Sequence, residues 1–192
     1  KFTVMAGNYI DGSSLYNTAC VYGGFTNTLD DCGNASSAFE TVDSNSVGVS
    51  AAYDLGSGYT AAFGYVADGT NGIGSKAGQD IVGGQLSYNA DQYGLSLSYS
   101  VNEASSNTST ATEEYLQDTT YVALNGYWIP AETGLIPSLS YGYEAGDVEG
   151  AGENGTTQWF LGLQWDEVGD GTLGAAIGSN GPITEGTDEL TM

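Results

Sequence analysis

Apolar and polar residues alternate one for one over long stretches of the chain. In YGLSLSYSVN, Tyr93, Leu95, Leu97, Tyr99 and Val101 take one parity, and Gly94, Ser96, Ser98, Ser100 and Asn102 take the other. SVGVSAAYDL sets Val47, Val49, Ala51, Tyr53 and Leu55 against Ser46, Gly48, Ser50, Ala52 and Asp54, and YTAAFGYVAD carries its apolar parity on Tyr59, Ala61, Phe63, Tyr65 and Ala67. A period of two is what a strand with two unlike faces requires. The alternating runs last about ten residues, the ~9 to 11 that a tilted strand needs to cross a bilayer, against about 5 or 6 in soluble sheets. That length favours a membrane. The pattern predicts nine strands, at 1–10, 46–55, 59–68, 80–89, 93–102, 119–129, 135–144, 157–166 and 172–179.

The connections follow a rule of their own. LGSGY, NADQYG, PAETG and DEVGDG are tight turns rich in Gly, Asn, Asp or Pro, and between them lie long polar stretches at 11–45, 69–79, 103–117 and 146–156. Short and long connections alternate, as in outer-membrane barrels, whose periplasmic turns are short and whose external loops are long. On that rule 11–45 is expected to be an external loop. Single-chain bacterial barrels have an even number of strands, so TEGTDELTM at the end of the chain reads as the start of a further one. The expected architecture is all-β, an antiparallel transmembrane β-barrel of which this chain is a part.

Aromatic residues fall beside the turns, at Tyr53, Tyr59, Tyr88, Tyr93, Trp128 and Trp165. Barrels set such girdles at the membrane interfaces, although aromatic side chains favour any pleated surface. Tyr93, Tyr99, Trp128, Trp159 and Trp165 are the candidates for lipid-facing or interfacial positions. The opposite parity is small and polar, and Ser96, Ser98, Ser100 and Asn102 are the candidates for facing a water-filled lumen. Apolar outside and polar inside inverts the order of a soluble protein.

Charge narrows the function. The chain carries 24 acidic residues, two basic ones (Lys1 and Lys76) and no histidine, a net charge of -22. Nothing here can neutralise a run of phosphates, which excludes nucleic acid as a partner, or make a polybasic patch for anionic lipid. Such a charge often accompanies disorder, but 40% of residues are apolar and 11% aromatic, and they are patterned. Without histidine or arginine there is no Ser-His-Asp or Cys-His machinery. The pairs Asp30–Asp31, Glu113–Glu114, Asp166–Glu167 and Asp188–Glu189 are sequence neighbours, which point to opposite faces of a strand and cannot share a substrate as glycosidase carboxylates do. The chain is not expected to be an enzyme or to hold a cofactor. GTNGIGSKAG has the wrong spacing for a phosphate loop. TLDDCGN and DVEGAGENGTT could bind divalent cations weakly but lack the spacing of a helical calcium loop.

Cys20 and Cys32 lie close together in the polar segment TACVYGGFTNTLDDCGN. A disulfide closing a short loop would contribute about 3 kcal/mol by loop entropy and would imply an oxidising compartment. Two unpaired loop thiols are the alternative, and a zinc site is weaker, since two sulfurs fall short of four ligands.

Two stretches, ALNGYWIPAETGLIPSLSYGYEAGD and TTQWFLGLQWDEVGDGTLGAAIGSNGPITEGTDELTM, resemble the outer-membrane porins of cyanobacteria, relatives of the carbohydrate-selective porins. The pattern W-x-x-G-L-Q-W, an acidic turn and a Gly/Ala-rich strand before a proline falls on Trp159, Gly162, Leu163, Gln164 and Trp165, then Gly174, Ala175, Gly178 and Pro182. The resemblance covers 118–192. It implies a barrel of ~16 strands, commonly a homotrimer in outer-membrane lipid, passing inorganic ions and small solutes passively. The family's N-terminal cell-wall-binding module has no counterpart here, and its terminal aromatic is replaced by Leu190, Thr191 and Met192. Residues 1–192 are therefore expected to be a partial porin domain, with leader, wall-binding module and closing strands outside this chain. The function expected is passive diffusion of ions and small hydrophilic solutes across the bacterial outer membrane, with a preference for cations. The alternative is an acidic secreted or surface β-protein, structural or adhesive, with no channel.

Overall fold

A computed structural model describes residues 1–23, 32, 37–40, 46–69, 72–103, 118–132, 135–149, 155–179, 183–184 and 190–191. Nine long strands are present: β1 (Phe2–Asn8), β2 (Ser46–Gly56), β3 (Tyr59–Asp68), β4 (Asp80–Asn89), β5 (Tyr93–Glu103), β6 (Thr119–Trp128), β7 (Ser138–Val148), β8 (Thr156–Val168) and β9 (Gly171–Ser179). Each pairs antiparallel with the next in one sheet; two short strands, β10 (Ile183–Thr184) and β11 (Leu190–Thr191), pair with β8 and β9. The helix among the described residues is one turn, α1 (Ser37–Glu40). No helix of the described residues is long and apolar enough to cross a membrane.

The sheet is open. β1 and β11 stand at the two ends of the pairing order, and no pairing among the described residues joins them. Several strand ends differ from the alternation pattern, β7 running on to Val148 and β8 to Val168, and two of the differences have local reasons. β1 stops at Asn8 because Tyr9 turns to φ 60°. β7 starts at Ser138 rather than 135 because Pro137 has no N–H to give the ladder. The predicted strand start at TEGTDELTM falls mostly outside the described residues; of those described, Thr184 pairs with β8, and Leu190 and Thr191 pair with β9.

Two hairpins show how turn chemistry fixes register. Gly56 faces Tyr59 across Ser57 (φ 54°) and Gly58 (φ 87°), the two positive dihedrals of a type I′ turn. Val168 faces Gly171 across Gly169 (φ 65°) and Asp170, where only the first is positive, as in type II′. These turns close the sheet at one end, and the long connections leave from the other.

With register fixed, the parities of all strands add up. Leu86, Leu97, Leu124, Tyr143 and Trp159 are consecutive cross-strand partners from β4 to β8. Ser87, Ser96, Asn125, Gly142 and Phe160 form the parallel row on the other face. At the tight-turn end, Tyr59 is opposite Tyr88 and Tyr93 opposite Trp128. The rings of Tyr59, Tyr88 and Tyr93 follow one another at 4.7 and 5.6 Å between centroids.

Gly58→Ala is expected to destabilise the fold by about 1–3 kcal/mol, since it forces a side chain into a left-handed backbone, with its Cβ 2.5 Å from the Asn89 carbonyl oxygen. Gly7→Ala has ordinary contacts only and should stay within about 0.5 kcal/mol. Denaturant midpoints of the two variants check this; equal shifts would contradict it.

Candidate functional site

The two faces of the sheet are buried in the wrong order for a soluble protein. On β5, Leu95, Leu97 and Tyr99 are 47%, 53% and 54% exposed, whereas Ser96, Ser98 and Ser100 are at 2% or less. Leu86, Val122, Leu124 and Tyr143 are exposed on neighbouring strands; Ser50, Ser87, Asn125, Ser140 and Glu144 are buried. Buried hydroxyls and amides mostly find partners, and here a covering segment both hides the polar face and supplies many of them.

The cover is the segment after β1. Its described residues, 10–23, 32 and 37–40, lie across the polar face instead of projecting as the external loop expected of 11–45. Composition gives the reason. DGSSLYNTACVYGG has one acid, Asp11, among Leu15, Tyr16, Val21 and Tyr22, and an extended chain of this kind has backbone groups to satisfy and rings to bury.

The sheet supplies both. Ser50 Oγ accepts from the Leu15 N–H at 3.2 Å and donates to the Gly12 carbonyl at 2.8 Å. Ser96 accepts from the Ala19 N–H at 3.0 Å. Ser140 accepts from the N–H groups of Val21 and Tyr22, and Gln164 Oε1 from that of Gly23 at 2.9 Å. Gln85 Nε2 donates to Thr18 Oγ1 and Asn89 Nδ2 to the Asn17 carbonyl. The strap thus runs from β2 to β8, six strand spacings of about 4.8 Å. Between Leu15 and Gly23 it has a reach of at most about 29 Å, enough for nine residues to make the crossing.

Close approach explains two of the glycines that the alternation pattern leaves on this face. At Gly64 a Cβ would collide with the backbone of Gly12, and at Gly142 with the carbonyl of Cys32. Small inner residues make room for a chain.

The return leg is held differently. Phe39 and Ala38 of α1 pack with Val66 and Ile81 in a small apolar core, with Tyr16 edge-on to Phe39 at 6.1 Å. Burial, then the charge of Asp11, push the Tyr16 phenol above its ordinary range, so it stays neutral. Ser37 donates through both N–H and Oγ to the buried Glu144 carboxylate, and Gln158 Nε2 donates to the same carboxylate at 2.8 Å. Asn125 Nδ2 donates to the Cys32 carbonyl at 2.9 Å. A disulfide joins Cys20 to Cys32, with Cα atoms 6.2 Å apart, and so ties the crossing leg to the return leg.

The residues singled out from sequence divide accordingly. Ser96 holds the strap; Ser98 accepts from Gln85 at 3.1 Å; Ser100 lies beside Gly83; Asn102 accepts from Gln79 at 2.8 Å. Tyr93, Tyr99 and Trp128 are exposed on the apolar face. Trp159 and Trp165 are half-buried, and the Trp165 indole donates to the Leu135 carbonyl at 3.2 Å. Ser50, Gln85, Asn125, Ser140, Glu144 and Gln158 were not candidates for the polar face, and Gln164 stood out only as part of the W-x-x-G-L-Q-W pattern. The signal for the serines was there, since Ser50 and Ser140 share the parity of Ser96 within their strands. The carboxylate pairs Asp30–Asp31, Glu113–Glu114 and Asp188–Glu189, most of TLDDCGN and residues 150–154 of DVEGAGENGTT lie outside the described residues. Among the described residues no group of three or more metal-ligating side chains is placed to hold an ion. No known family, curated protein or solved structure matches the chain.

Ser140→Ala removes the acceptor of two strap amides and is expected to cost about 1–3 kcal/mol. Ser100→Ala, on which no strap amide rests, should cost less. Thermal or denaturant unfolding of the two variants compares them directly; an equal cost would mean the strap is not held by this hydrogen bonding.

Proposed function

We propose that this chain is part of a channel-forming β-barrel of the bacterial outer membrane, a porin of the kind its 118–192 region resembles, and not an enzyme. Its apolar face meets lipid, and its polar face, narrowed by the strap, borders an aqueous passage. The solutes are inorganic ions and small hydrophilic molecules, moving passively, and the assembly is a homotrimer in outer-membrane lipid.

One observation carries this reading, the inverted burial of β5 and its neighbours. Soluble monomers rarely expose contiguous apolar patches beyond a few hundred Å², and the row Leu86, Leu97, Leu124, Tyr143 continues over four strands. In water such a face would drive aggregation; against acyl chains it is at rest. The tyrosine and tryptophan row at the tight-turn end fits a headgroup interface. The open sheet favours the second reading, an acidic surface or secreted structural protein whose apolar face is covered by another sheet.

With 24 acids against two bases, the field around the mouth of such a passage is negative and draws cations. In planar bilayers at low salt the protein should therefore conduct cations in preference to anions. The bias should fade toward 1 M salt, where the Debye length falls to roughly 3 Å. Anion preference at low salt, or no conductance from correctly inserted protein, would contradict the proposal.

A further inference from the structure

The two legs of the strap are anchored differently. The return leg is fixed through Ala38 and Phe39 of α1, which are buried with Val66 and Ile81, and through Ser37 on Glu144 and Gln158. The crossing leg from Leu15 to Gly23 is held by hydrogen bonds from its backbone to serine and glutamine side chains, each of which water can replace at small net cost, and by two ring contacts, Tyr16 on Phe39 and Tyr22 on Phe160. The covalent tie between the legs is the Cys20–Cys32 disulfide. Its two ends differ in access. Cys32 is fully buried beside Phe160, whereas Cys20 is partly open to solvent.

We propose that this disulfide is a redox lock on the strap: intact, it holds the crossing leg across the polar face; reduced by a small dithiol, it lets that leg leave while the return leg stays. The attack falls on Cys20, the partly exposed cysteine of the pair. A dithiol thiolate attacks Cys20 Sγ, the Cys20–Cys32 bond breaks, and Cys32 departs as a thiolate that takes up a proton. The second thiol of the reductant then attacks the mixed disulfide, releasing Cys20, which is also protonated. Two electrons reach the protein cysteines, and the dithiol ends as its cyclic disulfide. Freed of Cys32, the crossing leg keeps only non-covalent ties: its hydrogen bonds to Ser50, Gln85, Asn89, Ser96, Ser140 and Gln164, and the contacts of Tyr16 with Phe39 and Tyr22 with Phe160. Its departure would uncover these side chains and widen the passage. The effect on conduction rests on the channel reading; the release of the strap does not.

Hydrogen exchange on the folded, lipid-inserted protein, with and without dithiothreitol, tests the lock. Exchange across 15–23 should rise at least about tenfold on reduction, while 95–101 on β5 stays protected. The Cys20→Ser/Cys32→Ser variant should exchange like the reduced protein without any reductant. No change across 15–23 overturns the proposal. So does an equal rise across 95–101, which would make the bridge a general staple of the fold. In the same preparation, single-channel conductance should increase on reduction, and a strap that releases without any change in conductance removes its regulatory role. If neither form conducts, the channel reading fails, and the exchange result still decides whether the lock exists.

Discussion

Moving any one strand by a single residue would carry its leucines to the face that holds the serines. In this sheet the penalty for that slip is multiplied across neighbours, because Leu97 pairs with Leu86 and Leu124, and Ser96 with Ser87 and Asn125. The antiparallel register, pinned by tight turns such as Ser57–Gly58, therefore sorts the whole chain into two unlike surfaces. Everything else depends on that sorting. It leaves a broad apolar face unburied and creates a polar face whose hydroxyls need partners.

The strap answers the second of these consequences. A row of serines cannot form a dry core by itself, because a buried hydroxyl without a partner is costly. An extended backbone is a good match, since it offers N–H and C=O groups at regular spacing to side chains that rise from successive strands. Ser50, Ser96 and Ser140 lie on β2, β5 and β7 and receive Leu15, Ala19 and Val21 in chain order. Glycine is what lets a main chain come this close to a sheet, as Gly142 does for Cys32. Glu144 then fits the same logic at higher stakes, as a buried carboxylate that accepts from Ser37 and Gln158.

Much of the sheet was legible in the sequence, since alternation is a local signal that tertiary context reinforces. The strands at 59–68 and 80–89 have the predicted bounds; of the ends that moved, those at Tyr9 and Pro137 did so where a single backbone property outweighs the pattern, and β7 and β8 run on past their predicted ends to Val148 and Val168. The strap was not legible. Its partners are 35 to 141 residues away in sequence, and nothing in the spacing of Asp11–Gly23 encodes which serine receives which amide. Proximity suggested that Cys20 and Cys32 could pair, but not that their bridge would join two legs lying on the same polar face. Glu144 looked like one more acid in SYGYEAGD, since a carboxylate's burial depends on donors brought from Ser37 and Gln158.

Which face of the sheet meets lipid separates a membrane channel from a covered surface protein. Nitroxide labels placed one at a time from Leu95 to Ser100, in protein inserted into lipid vesicles, report this directly through collision with oxygen, which concentrates in acyl chains, and with a water-soluble nickel chelate. Oxygen accessibility should peak at 95, 97 and 99 and fall at 96, 98 and 100, with low nickel access at the odd positions. High nickel access at 95, 97 and 99, or oxygen access without a period of two, would show that the apolar face does not lie against the membrane.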